Sequence, residues 1–328
     1  SSDGLQMRAR LRLSGKLDDE WQFGGRLAAR LDTRQENEEF WLRWHTPVAT
    51  GLLPGQATID ELYLDYGPAG SPWSLRMGRF QASFGLADVM KKSLDQNDSP
   101  NFDINWTDGA WLKYRRTDWT AHTIVRHNDR RGPSSVMRPP LNFADDSSRV
   151  SLFLALESTA TIGPLVQRMV SVTWLPGALR PLGIDEAAAE DYFSIAVKST
   201  AEWALGSGDT KFRLGAEIGF APNTPRRAVM ASGVGDAETF SWQTSFNLID
   251  FVPHHNFAVV YGRVADGWLI SGDFRPNDSL VEARWVWRPS NAWQFDARVR
   301  RREEMDLPAG DIRSRRSDDI YLRATWRW

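Results

Sequence analysis

The residues best suited to chemistry in this chain are arginines set two or four apart. Arg8, Arg10 and Arg12 alternate with Ala9 and Leu11; Arg298, Arg300 and Arg302 repeat that spacing; Arg26 with Arg30, Arg284 with Arg288, and Arg323 with Arg327 sit four apart. A guanidinium stays charged and presents a planar fork to carboxylate or phosphate, so a row of them offers successive sites to anions. Other constellations are thin. His254-His255 has no third ligand in view and His122 with His127 supplies none, so no metal site is expected. Asp95-Gln96-Asn97-Asp98 lacks the glycine and terminal glutamate of a calcium loop. The chain has no cysteine, which excludes disulfides, thiolate zinc sites and cysteine nucleophiles. Nucleophile-elbow, phosphate-loop and dinucleotide motifs do not occur, and neither enzymatic activity nor a cofactor is expected.

Arginines two apart share a face only on a β-strand; a helix would scatter them around its circumference. From Leu5 the odd positions read Leu5, Met7, Ala9, Leu11, Leu13, Gly15 and Leu17, against Gln6, Arg8, Arg10, Arg12, Ser14 and Lys16. The same period appears in Trp21, Phe23, Gly25, Leu27, Ala29 and Leu31, and in runs near 57–66, 73–84, 109–115, 119–128, 149–158, 165–175, 191–203, 210–220, 239–249, 256–264, 279–288, 293–302 and 318–328. These make about fifteen strands, each near the length that crosses a bilayer when tilted.

Composition read without order looks like that of a soluble protein: 40 Lys+Arg against 42 Asp+Glu, a net charge of −2 and a mean hydropathy of −0.45. That balance gives no reason to expect nucleic acid as partner. No run reaches the roughly 18 to 20 apolar residues of a spanning helix, but a barrel alternates apolar with polar residues and keeps its mean hydropathy low. The opening Ser1-Ser2-Asp3-Gly4 has neither a basic nor an apolar signal region, so any signal peptide is expected to be gone already.

Connections alternate as well. Short ones at 18–20, 67–72, 116–118, 159–164, 204–209, 250–255 and 289–292 take turns with long ones at 33–56, 85–108, 129–148, 176–190, 221–238, 265–278 and 303–317. Short periplasmic turns and long extracellular loops characterise outer-membrane barrels. Trp21, Trp73, Trp119 and Trp293 open strands after short turns, Trp203 and Trp287 close strands before them, and Trp328 ends the chain. All seven share the apolar parity, as an aromatic belt at one membrane interface requires. The expected fold is all-β, a transmembrane antiparallel β-barrel forming a single domain over 1–328 in a bacterial outer membrane, with lipid as its surroundings.

If the chain ends in the periplasm, the strand at Leu5 runs inward, and an even strand count requires one outward strand before Ser1, sixteen in all. The rival reading makes Phe40-Trp41-Leu42-Arg43-Trp44 a strand and breaks the alternation of loops. Met7-Arg8-Ala9-Arg10-Leu11, Ile59-Asp60-Glu61-Leu62-Tyr63-Leu64-Asp65-Tyr66, and Leu75-Arg76-Met77-Gly78-Arg79-Phe80 with Phe84-Gly85-Leu86 resemble the phosphate-selective porin O/P family and related outer-membrane porins. The likeness covers roughly residues 5 to 90 and the terminal strand, whose final aromatic resembles the signal read by barrel-assembly machinery. It implies a first strand before the arginine-rich one, a long loop folded into the pore, and a homotrimer.

With apolar residues facing lipid, the opposite parity lines the lumen. Arg8, Arg10, Arg12, Lys16, Arg26, Arg30, Arg284, Arg288, Arg298, Arg300, Arg302, Arg323 and Arg327 would form a basic wall, opposed by only Glu282, Asp296 and Asp32. The loop 85–108, with Asp88, Asp95, Asp98, Asp103 and Asp108, is the candidate constriction; folded inward, its acids should meet the arginines. Arg168 shares the lipid-facing parity of Val170, Val172 and Trp174, where a midplane arginine costs about 2 to 4 kcal/mol, so it should sit at the rim or beside a bulge. Together these residues suggest a porin for passive, anion-favouring diffusion of small anionic or polar solutes. The alternative is a structural sleeve around a protein partner such as an electron-transfer cytochrome. A barrel lipase with a Ser-His pair is a third reading that no local arrangement favours.

Overall fold

The computed structural model describes residues 4–33, 56–98, 104–128, 141, 150–158, 160–179, 190–206, 208–224, 236–306 and 314–327. Fifteen strands form: β1 (Gln6–Lys16), β2 (Trp21–Asp32), β3 (Gln56–Tyr66), β4 (Trp73–Phe80), β5 (Thr107–Arg115), β6 (Trp119–His127), β7 (Val150–Ser158) and β8 (Leu165–Leu179). They continue as β9 (Glu190–Ala204), β10 (Lys211–Phe220), β11 (Phe240–Val252), β12 (His255–Val264), β13 (Asp278–Trp287), β14 (Trp293–Glu304) and β15 (Arg316–Trp326). Phe40–Trp44, Asp103, Trp328 and the side chain of Asp32 lie outside the described residues.

Each strand pairs antiparallel with the next, giving one sheet in the order β1 to β15. Alternate strands reverse direction, so β1 and β15 run the same way and cannot close the sheet by pairing antiparallel with each other. The sheet is not closed among the described residues, and Ile320 and Leu322 on the β15 edge are 79% and 77% exposed.

The two faces invert the pattern of a soluble domain. On β7, Val150, Leu154 and Leu156 are exposed while Ser151, Phe153 and Ala155 are buried; on β10, Ile218 and Phe220 are exposed while Glu217 is buried. An outward apolar band of this extent suits hydrocarbon, not water. Arg168 conforms to that band. It lies beside a register shift between Leu165 and Gln167 and donates to Ser158 Oγ at 2.7 Å and the Ala160 carbonyl at 2.9 Å, at the rim of a short turn.

The short turns place the tryptophans. Asp18 Oδ1 accepts the Trp21 N–H at 2.7 Å, Ser71 Oγ the Trp73 N–H at 3.1 Å, and Ser290 Oγ the Trp293 N–H at 3.2 Å. Short polar side chains thus cap three of the four turns where a tryptophan opens the next strand. The rings then meet across strands: Trp21 on Tyr66 at 4.8 Å, Trp73 on Tyr114 at 4.3 Å, Tyr114 on Trp119 at 5.6 Å, Trp203 on Phe212 at 5.7 Å, and both Trp287 and Trp293 on Phe295 at 5.3 and 5.8 Å. His255 stacks on Trp285 and Trp287 at 5.4 and 5.6 Å, and its Nδ1 accepts from Trp285 Nε1 at 3.1 Å.

Candidate pore and its charged walls

The segment after β4 leaves the wall and enters the lumen as a two-legged ribbon. Phe84 N–H donates to the Gln96 carbonyl at 2.9 Å, Leu86 N–H to Lys92 at 3.1 Å, and Asp98 N–H to Ala82 at 3.1 Å. The ribbon lies across the inner face from β6 to β13. Phe84 packs on His122 and Phe153 at 5.1 and 4.8 Å; Ala87 N–H donates to Gln167 on β8 at 2.7 Å; Val89 N–H donates to Asn247 on β11 at 3.1 Å. Lys92 reaches Glu282 on β13 at 3.1 Å. Close approach at the tip requires Gly85, where a Cβ would stand 2.5 Å from the Lys91 carbonyl oxygen.

Buried charge fastens the return leg. Lys198 on β9 pairs with Asp95 at 3.0 Å and Glu217 at 2.8 Å, and also donates to the Phe84 carbonyl and to Ser93 Oγ. Asp95 accepts from Ser171, Asp88 from Ser245 at 2.5 Å, and Asp98 from Thr107 at 2.8 Å. The expected meeting of loop acids with the wall arginines is therefore corrected: Asp88, Asp95 and Asp98 turn into the wall behind the ribbon, toward a lysine and hydroxyls. Asp108 is corrected too. It belongs to β5, on the parity opposite the inward Thr107 and Trp111, and makes a two-pronged pair with Arg79 at 2.7 and 3.0 Å. Burial of Asp88 raises its carboxyl above the usual carboxylate range despite the bonds from Ser245 and the Lys91 N–H.

A second inserted loop, 265–277, covers the return leg. Trp268 Nε1 donates to the Leu94 carbonyl at 2.7 Å, Ser271 Oγ to the Ser93 carbonyl at 2.8 Å, and Leu269 N–H to Tyr192 Oη at 3.0 Å. Gly219 on β10 makes room, since a Cβ there would lie 2.6 Å from the Trp268 ring. The ribbon and this second loop thus cover the inner faces of β6 to β13.

Most of the arginines expected to form a basic wall stand on β1, β2, β13, β14 and β15. Across neighbouring strands Arg8 stands opposite Arg30, Arg12 opposite Arg26, and Arg284 opposite Arg298, a like-charge arrangement that opposes sheet stability. Seven arginines share four carboxylates: Arg10 and Arg26 on Asp60 at 3.3 and 2.7 Å, Arg12 and Arg26 on Glu61 at 2.6 and 3.0 Å, Arg284 and Arg323 on Asp296 at 3.5 and 3.1 Å, Arg298 and Arg300 on Asp319 at 2.9 and 2.7 Å. Arg288 and Arg327 both donate to neutral Gln294, and Arg302 to the Asp273 carbonyl.

Three of these acids escaped the sequence reading. A bulge in β3, where Arg26 faces Glu61 but Leu27 faces Ile59, leaves Asp60 as the extra residue, and Asp60 and Glu61 are both buried on the lumen side. The outward apolar positions Ile59, Leu62 and Leu64 signal it by breaking parity. Asp319 lies on the inward parity of β15, next to Tyr321, over whose ring Arg298 sits at 4.6 Å. Lys198, Glu217 and the 265–277 loop carried no local signal.

No protein-family model matches the chain, and no curated protein matches it. Solved structures do. OccAB4 of Acinetobacter baumannii superposes with a TM-score of 0.57 at 11% identity, covering 98% of this chain and 82% of that one. OprD of Pseudomonas aeruginosa gives 0.54 at 11% identity over 98% and 83%. The outer membrane channel DcaP of Acinetobacter baumannii gives 0.53 at 12% identity over 97% and 84%. The fold is that of the outer-membrane porins. The porin neighbours are of the OprD and Occ type, so the likeness to phosphate-selective porin O/P stays with the sequence motifs.

Proposed function

We propose that the protein is an outer-membrane porin through which small hydrophilic anions diffuse passively, in the part of the lumen bordered by the arginines of β1, β2 and β13–β15. The carrying observation is the charge imbalance of that space. Seven arginines share four carboxylates, while Asp88, Asp95 and Asp98 of the ribbon are buried behind it. An acidic loop facing a basic wall would set a transverse field with little net sign; here the surplus is positive. In a narrow passage with low-dielectric walls such a surplus concentrates anions. Sharing each carboxylate between two guanidinium groups leaves every site attractive but shallow, which suits entry and exit at successive positions.

The ribbon belongs to the chain itself and fills the side of the lumen that a protein partner would need, which argues against a sleeve. Oxyanions as the preferred cargo, and a homotrimer, rest on the motif resemblance alone. Single-channel recording across a KCl gradient tests the reading. Anion permeability above cation permeability is expected; a reversal potential of the opposite sign overturns the anion claim, and absence of conductance overturns the porin.

A further inference from the structure

Lys91 occupies the tip of the ribbon with φ of 53°, a left-handed conformation that penalises residues carrying a Cβ. The tip is pinned in it, because Asp88 Oδ1 accepts the Lys91 N–H at 2.5 Å. Its neighbours point the other way: Met90 is 5% and Lys92 1% exposed, whereas Lys91 is exposed. The outbound leg alternates in the same sense. Ala82, Phe84, Leu86, Asp88, Met90 and Lys92 are buried against the wall, and Gln81, Ser83, Gly85, Ala87, Val89 and Lys91 take the other face. Lys91 is the only charged residue on that second face. Its position along the wall is fixed by Lys92, whose partner Glu282 stands opposite Arg300 and one inward place from Arg284. The ribbon tip that carries Lys91 therefore stands beside the arginine rows of β13 and β14.

We propose that Lys91 is a specificity-determining residue of the pore, the cation contributed from the ribbon side where passing anions are also met by Arg284, Arg298 and Arg300. The inference rests on the porin reading and deepens it. The strained tip supplies a reason for its geometry: a left-handed residue between two buried side chains directs a long cationic arm away from the wall. The ligand class is a small hydrated anion, for which chloride is the probe.

The chain has no cysteine, so Lys91→Cys introduces a single thiol. Reconstituted K91C channels, already open, are exposed to a methanethiosulfonate carrying trimethylammonium or to one carrying sulfonate. A unit charge ~8 Å from an ion path in water changes the local ion population about twofold. Because the charge acts oppositely on the two ions, chloride-over-potassium permeability should fall about fourfold in K91C, return with the cationic reagent, and fall about fourfold further with the anionic one. Lys91→Arg should match the wild type. If the wild type prefers anions but neither reagent alters the K91C reversal potential, the role of Lys91 is overturned and the porin reading stands. If the wild type prefers cations, the anion reading itself fails.

Discussion

Lys198→Met is the perturbation whose outcome the structure defines best. The lysine side chain is fully buried, as are its partners, with Asp95 and Glu217 at 3.0 and 2.8 Å. Its loss strands two carboxylates against each other in a site built for one cation, and breaking a buried ion pair this way costs about 3 to 5 kcal/mol. Many other contacts still tie the ribbon to the inner wall and to the second inserted loop, among them Ala87 to Gln167, Val89 to Asn247, Asp88 to Ser245, Trp268 to Leu94 and Lys92 to Glu282. A penalty of about 3 to 5 kcal/mol raises the released-to-docked ratio by about a hundredfold or more, so K198M should release its ribbon far more often than the wild type. In planar bilayers the wild type should show one quiet conductance level, and K198M a second, larger level with flicker between the two. Adding Asp95→Asn and Glu217→Gln removes the stranded charge and should quieten the channel. A K198M channel with wild-type conductance and a silent baseline would refute the view that buried charge holds the ribbon.

Two further outcomes follow from the same geometry. Arg298→Gln with Arg300→Gln leaves Asp319 without its two partners and turns a local surplus of one positive charge into one negative charge; the KCl reversal potential should move toward potassium, and no movement means the permeation path lies elsewhere. Asp88 titrates above the ordinary carboxylate range in the docked ribbon because it is buried. Its docked-state pKa exceeds the released value, so its contribution to docking is fully present below the released-state pKa and is lost as pH rises through the docked one. In K198M, where the ribbon is loosened, channel noise from its release should therefore fall on acidification, and adding Asp88→Asn, which can still accept from Lys91 N–H, should lower the noise at neutral pH. Noise that rises on acidification contradicts this assignment.

Strand positions were legible because period two is a local property. Each run from Leu5 onward marks its own inward and outward faces, and a polar cap such as Asp18 or Ser290 marks where a tryptophan opens a strand. The β3 bulge was legible in part, through the parity break between Ile59 and Leu62, although its consequence required the pairing of Arg26 with Glu61.

The sequence alone therefore determined the barrel-type sheet and the alternation of turns and loops, since both depend on residues within one strand or its turn. Tertiary structure decided how charge is distributed. Asp319 meets Arg298 and Arg300, Asp60 meets Arg10 and Arg26, and Lys198 draws Asp95 from a loop more than a hundred positions away. Those partners are selected by strand register and by the path of the ribbon through the lumen. Neither is written in the spacing of any single segment, because ion pairing depends on distance in space and not along the chain.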